Sequence, residues 1–254
     1  MPLKFARKLT GKHRTRDADR QLGYVLAFVA GAINAGGFLA VHQYTSHMTG
    51  VVSSMADNLV VGTYGLVLTG LGSVMSFTCG AACSAILVNH ARRRGMHSEY
   101  AFPLLLEALL LLGFGAVGAE IGDVEGWLMS ATVMLLCFIL GLQNATITKL
   151  SNSEIRTTHL TGIVTDIGIE IGKLIYWNSP TSPSPGKVLA NRERLKVLFS
   201  LAGLFFLGGV AGAFGFKHVG YVATVPLAVM LLALAIIPAI DDLMNFVRRH
   251  RNSE

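Results

Sequence analysis

Charge is what this sequence has least of. Only 14% of its 254 residues are Asp, Glu, Lys or Arg, against 52% hydrophobic residues, whereas a soluble globular chain carries about 25% charged residues. That leaves too little polar surface for a water-soluble globular fold. The charges are also bunched: from residue 22 to residue 88 the only charged side chain is Asp57. Cysteine is scarce as well. Cys79, Cys83 and Cys137 all fall in apolar stretches, which argues against a disulfide framework and fits small thiols packed between helices. The sequence lacks GxxxxGK[ST], HExxH, CxxC and Gly-x-Ser-x-Gly, so it offers no ATP-driven pump, no familiar zinc site and no hydrolase elbow. No cofactor and no metal are expected. The first twenty residues are polar and basic without an apolar core, so no cleavable signal peptide is expected.

What the sequence does have is long apolar runs. Stretches 22–41, 66–88, 102–119, 127–147, 197–216 and 221–240 are each near the roughly 20 residues that cross a ~30 Å hydrocarbon core. The fold class expected is therefore all-α, a polytopic transmembrane helical bundle. The net charge of +6 is what basic loops beside apolar spans produce, and nucleic acid is not an expected partner.

The sequence also repeats itself. Gly31-Ala32-Ile33-Asn34-Ala35 followed by Ser46-His47-Met48-Thr49-Gly50 is answered by Gly141-Leu142-Gln143-Asn144-Ala145 followed by Thr158-His159-Leu160-Thr161-Gly162. Phe77 and Gly80 pair with Phe206 and Gly209, and Pro103 with Pro226. Matches in the same order point to an internal duplication, with repeat 1 at 22–120 and repeat 2 at 121–240. A basic segment, 1–21, precedes them and a tail, 241–254, follows. Each repeat holds three spans and one motif helix. If the motif helices cross fully, Arg92, Arg93 and Arg94 fall outside. If they only dip in, all but one of the 21 Lys/Arg lie inside, with both termini in the cytoplasm and the acidic turn 120–125 outside. Three crossings per repeat make the two repeats antiparallel, the plan of many secondary transporters.

The motifs place the candidate site. Thr49-Gly50 and Thr161-Gly162 stand where helices could start: Thr is a competent N-cap, and Gly allows close approach. A helix starting at membrane depth turns its N–H groups and dipole toward an anion. Polar residues continue along each motif helix at helical spacing, with His47, Ser54, Asp57 and Asn58 on one and His159, Asp166, Glu170 and Lys173 on the other. Ionisable groups at membrane depth usually face a cavity or each other, and histidine beside carboxylates could relay protons. Against this stands a structural reading: ordinary caps, and Glu170 bonded to Lys173 at the interface. Glu107 stands alone among leucines, facing either a pathway or an interhelical bond. Asn34, Gln143 and Asn144 present the same choice, while Gly208/Gly212 and Gly80/Ser84 read as close helix packing. The pathway residues expected are Asn34, His47, Thr49, Gly50, Asp57, Glu107, Asn144, His159, Thr161, Gly162, Asp166 and Glu170. Thr49 and Thr161 are expected to cap helices facing one shared cavity.

The Asn34-Ala35 pair, Tyr44 through Gly50, and Arg156 through Asp166 together resemble the YoaK-like family of bacterial inner-membrane proteins, a domain-of-unknown-function family, over about 22–240. The resemblance implies a polytopic bacterial membrane protein and supplies no substrate. The function expected is a secondary transporter or channel for a small polar or anionic solute, with proton coupling as an option. The rivals are an intramembrane enzyme using His47 or His159 with Asp166 or Glu170, and a receptor or scaffold. The expected partners are the lipid bilayer and a small-molecule or ion substrate, and association with further copies of the chain is left open.

Overall fold

The computed structural model describes residues 16–96, 99–121, 127–150, 159–177 and 187–251. Among these, every regular element is helical: α1 (Arg16–Val41), α2 (Met48–Val61), α3 (Tyr64–Arg93), α4 (Ala101–Ile121), α5 (Trp127–Leu150), α6 (Leu160–Ile175), α7 (Arg192–Val219) and α8 (Thr224–Arg251). A 3-10 turn, Gly220–Ala223, joins the last two. The segment before residue 16, residues 122–126 of the acidic turn, motif residues 151–158 and residues 252–254 lie outside the described residues, as do the side chains beyond residue 240.

Four stretches are long and apolar enough to cross a membrane: Asp17–Val41, Tyr64–Arg93, Met129–Leu150 and Arg192–Ile236. The last holds two of the expected spans, α7 and α8, on either side of the 3-10 turn. The apolar part of α4, Ala101–Ala116, is shorter. These helices make the chain a helical membrane protein.

Lipid tails give helices no hydrophobic reason to associate, so a membrane bundle is held by close packing and small residues. The pairing follows that rule. α1 packs chiefly on α7, α3 on α5, and α4 on α8. Both main crossings carry a Phe-x-x-Gly on each helix. A side chain at Gly31 would run into the carbonyl of Phe205, and one at Gly208 into the carbonyl of Phe28. At the other crossing, Gly141 lies against the carbonyl of Phe77 and Gly80 against that of Phe138. Polar bonds supplement the second crossing: Ser76 Oγ donates to the Met134 carbonyl at 2.6 Å, and Ser84 and Thr146 share a hydroxyl bond of 2.8 Å.

The contacts also give directions. Gly208 meets Phe28, Gly212 meets Ala32, and Phe216 meets Gly36, so α1 and α7 run the same way. α3 and α5 do likewise, with Gly72 against Met134, Gly80 against Phe138 and Ser84 against Thr146. α1 and α5 run oppositely, because Gln143 Nε2 donates to the Leu26 carbonyl at 3.3 Å while Gly37 abuts Leu136. Late α4 meets the turn and early α8 through Gly115 with Thr224 and Gly118 with Tyr221, so that pair is antiparallel too.

Burial refines the internal register. On α3 the buried residues include Gly70, Ser73, Gly80, Ser84 and Val88, and on α7 they are Leu198, Leu201, Gly208, Gly212 and Phe216. These match one for one. Phe77 and Gly80 therefore answer to Phe205 and Gly208, not to Phe206 and Gly209 as the residue types alone suggest. Along α4 and α8, Glu107, Ala108, Leu111 and Phe114 are buried in step with Leu227, Ala228, Leu231 and Leu234, which puts Pro103 and Pro226 out of register. Of the three free cysteines only Cys137 is buried, and Cys79 is exposed.

Candidate functional site

The first motif builds a cavity. Asn34, late in α1, accepts hydrogen bonds on its Oδ1 from the Ser46 backbone N–H (3.2 Å) and hydroxyl (2.9 Å), which ties the motif segment to the helix. At the end of α1, His42 adopts a φ of 52°, a left-handed backbone that side chains rarely tolerate, and its N–H closes on the Phe38 carbonyl at 2.7 Å. The turn brings Tyr44 onto Phe38, with the rings stacked 4.5 Å apart. A cavity of about 540 Å³ opens here, with His42, Tyr44, His47, Ser54, Asn58 and Thr69 among its polar lining and Met55, Leu66 and Met129 among its apolar lining.

Both motif histidines, not the threonines, stand at the helix starts. His47 and His159 are the N-caps of α2 and α6, with nearly equal backbone angles, and neither makes a side-chain cap hydrogen bond. Their carbonyls accept from Val51 and Ile163. The expected Thr caps are thereby corrected: Thr49 and Thr161 lie one residue inside the helix, exposed. The glycines have a definite use. A side chain at Gly50 would meet the ring of His47, and one at Gly162 the ring of His159, so each imidazole folds back over its own first turn. Bulk at the next turn is what the Gly removes.

The second motif is bonded rather than open. Asp166 Oδ2 accepts from the Arg194 guanidinium at 2.9 Å. Glu170, 2% exposed, accepts from Lys173 Nζ at 2.8 Å and from the Asn191 backbone N–H at 2.7 Å. The Lys173 hydrogen bond first, then the Asn191 N–H, hold the Glu170 carboxyl below the usual glutamate range. The bond between Glu170 and Lys173 weighed in the sequence is present. Asn144 Oδ1 is buried with no partner among the described residues; Thr158, which answers to Ser46, lies outside them.

The expected site residues thus divide. His47 and Gly50 line the cavity, Asn34 anchors the motif segment through Ser46 without lining it, and Asp57 is exposed on α2, also without lining it. Asp166 and Glu170 join α6 to α7. The expectation of one shared cavity is corrected: α2 packs on α3 and α6 on α7, and the described cavity beside His47 contains no residue of the second motif. Sequence reasoning missed His42, Tyr44 and Thr69. Nothing in their spacing marks them, because a left-handed turn at the end of α1 brings the first two in.

Glu107 belongs to neither group. It is 0% exposed, two turns into α4, and neither carboxyl oxygen has a hydrogen-bond partner among the described residues. Its counterpart on α8 by burial is Leu227, so packing at that level is served by a hydrocarbon in one half and by a carboxyl group in the other. Gln143, 0% exposed, also keeps an Oε1 without a partner among the described residues. Among the described residues no group of three His, Cys, Asp or Glu is placed to hold a metal ion.

The family described as "Protein of unknown function (DUF1275)" matches residues 22–237. No curated protein and no solved structure matches. The chain belongs to that family.

Proposed function

We propose that this chain is a secondary transporter of a small polar or anionic solute, built from two inverted repeats and coupled to protons through Glu107. The observation that carries the reading is the exchange of helices between halves. The first long helix of each half runs parallel to the second long helix of the other, through the same Phe-x-x-Gly pair. The first helices of the two halves, α1 and α5, run oppositely. An odd number of crossings per half and antiparallel halves account for both relations, and such halves rock against each other in alternating access. The same plan puts α2 and α6 at opposite ends, in a bacterial inner membrane with both termini cytoplasmic. The narrower likeness to the YoaK-like proteins belongs to this proposal too.

Glu107 supports the coupling. A bare carboxylate surrounded by apolar side chains is costly, so a carboxyl group where the other half has leucine carries its proton unless a cation or water reaches it. The solute would enter through the cavity of His42, His47, Ser54 and Asn58, whose donors and acceptors suit a polar molecule. The bilayer is the remaining partner. An intramembrane enzyme is the weaker reading, since Asp166 and Glu170 are engaged with Arg194, Lys173 and Asn191.

The test is flux in liposomes loaded with a pH-sensitive dye, with inward gradients of monocarboxylates, inorganic phosphate and neutral polyols applied in turn. One solute class is expected to move internal pH with wild-type protein, and Glu107→Gln, of equal size and equally neutral, to abolish that coupling while the protein stays monodisperse. No response to any class, or equal responses from wild type and Glu107→Gln, would overturn the transport or the coupling reading respectively.

A further inference from the structure

The two motif helices are equivalent in register yet fastened differently, and the difference has a mechanical meaning. Each buries a residue at the same place: Val51 on α2 and Ile163 on α6, both 7% exposed. Beyond these, Ser54 and Asn58 stand where α6 has Asp166 and Glu170, and Thr63 and Leu66 stand where α7 has Asn191 and Arg194. At the α2 end every bond is neutral. Asn58 accepts from Thr63 Oγ1 at 2.6 Å and donates to Ser54. There, α2 is joined to α3 by Gly62 and Thr63 alone, so it cannot travel far from it.

At the α6 end the fastening is ionic. Asp166 holds Arg194 and Glu170 holds the Asn191 N–H, both across to α7, while Lys173, on α6 itself, pairs with Glu170 within the helix. The connection from Ile175 to Arg192 is much longer than Gly62–Thr63, so the covalent chain does not by itself keep α6 on α7. Among the described residues α6 packs chiefly on α7. Its outer face, with Val164, Ile169 and Ile175, is exposed. An element with one main neighbour and a long tether, held by two isoleucines, Ile163 and Ile167, and a few polar bonds, can leave its neighbour as a unit.

We infer that α6 is a gate held shut by a latch, Asp166–Arg194 and Glu170 with the Asn191 N–H, while the α2 end, whose side-chain bonds to the start of α3 are uncharged, stays open at its cavity. The inference rests on the alternating-access reading above. It assigns Asp166 and Glu170 to gating rather than to solute contact. The latch is weak by design: Asp166 and Arg194 are partly exposed, and pairs of that kind are modest and salt-sensitive. Arg20, Arg192, Glu193 and Lys196 surround it and share the local field.

Single cysteines at the two equivalent buried positions, Ile163→Cys and Val51→Cys, test the latch in protein whose Cys79, Cys83 and Cys137 are replaced by Ala. The readout is the rate of modification by a water-soluble maleimide in detergent, with monodispersity checked. Asp166→Asn, Arg194→Gln and 0.5 M rather than 0.05 M sodium chloride (both roughly set to span the Debye screening range) are expected to raise the Ile163→Cys rate about fivefold and to lower the Val51→Cys rate. The exchanged pair Asp166→Arg with Arg194→Asp should restore the slow Ile163→Cys rate. A faster Ile163→Cys rate with Val51→Cys unchanged means a local brace that merely replaces the short tether, and overturns the gate. An unchanged Ile163→Cys rate overturns the latch itself. Neither readout requires flux, so a wild-type protein inactive toward every solute would retire the transport reading without deciding this one.

Discussion

At the residue scale, the close approaches are carried by five glycines, Gly31, Gly80, Gly141, Gly208 and Gly212, whose role the residue types only half disclose. The pair Gly208 and Gly212 and the pair Gly80 and Ser84 are recognisable as small residues one turn apart. That each crossing joins two Phe-x-x-Gly segments is not recognisable, because the sequence does not say which helix meets which. The contacts make a sharp expectation. Gly31→Leu and Gly141→Leu, equivalent positions pressed against the Phe205 and Phe77 carbonyls, should destabilise by similar amounts, about 1–3 kcal/mol or more, as overpacking does. Gly168→Ala and Gly172→Ala, where an added methyl group meets open space, should be neutral or slightly stabilising. Thermal unfolding in detergent separates the two pairs. The capping residues show where local reasoning fell short. Thr is the better cap by chemistry, yet His47 and His159 hold that place because the glycine three residues on makes room for an imidazole, and a propensity scale contains no such term.

At the scale of the element, α2 and α6 look alike in sequence and behave differently. The polar stripe on each was visible from its spacing. What it bonds to was not, because Asn191 and Arg194 come from beyond a long connection. The bonding has a pH consequence. A glutamate held below its usual range contributes to the folded arrangement at and above that range, and the contribution disappears as pH falls through the depressed value. Slow Ile163→Cys modification should therefore persist from neutral pH down through the ordinary glutamate range and give way only below it. In Glu170→Gln, which offers the Asn191 N–H an uncharged and therefore weaker acceptor, modification should be faster at neutral pH and lack the acid step of that origin. Labelling rates across pH, corrected for the reagent's own pH dependence, give the comparison. An acid step of the same size in both proteins would mean that Glu170 does not hold α6 in place.

For the molecule as a whole, the sequence disclosed more than it did at the finer scales. Apolar runs and the order of the motifs were enough to expect a helical bundle with internal duplication, since bilayer thickness and repetition act on the whole chain. Register within the repeat was harder to read. Pro103 and Pro226 suggested one alignment, and the burial of Glu107 with Leu227 gives another. The described cavity beside His47 holds no residue of the second motif, and under the proposed antiparallel halves the equivalent segments would lie at opposite ends. That relation is the central claim, and it can be measured directly. Tyr44, beside the first motif helix, and Tyr176, at the end of the second, are both exposed. Each is replaced by cysteine in the protein lacking native cysteines, and a membrane-impermeant maleimide is applied to intact spheroplasts. Tyr44→Cys is expected to be modified and Tyr176→Cys to be protected until the membrane is opened. Modification of both from outside, or of neither, would mean that the two motif helices share a face of the membrane, and the inverted arrangement would be wrong.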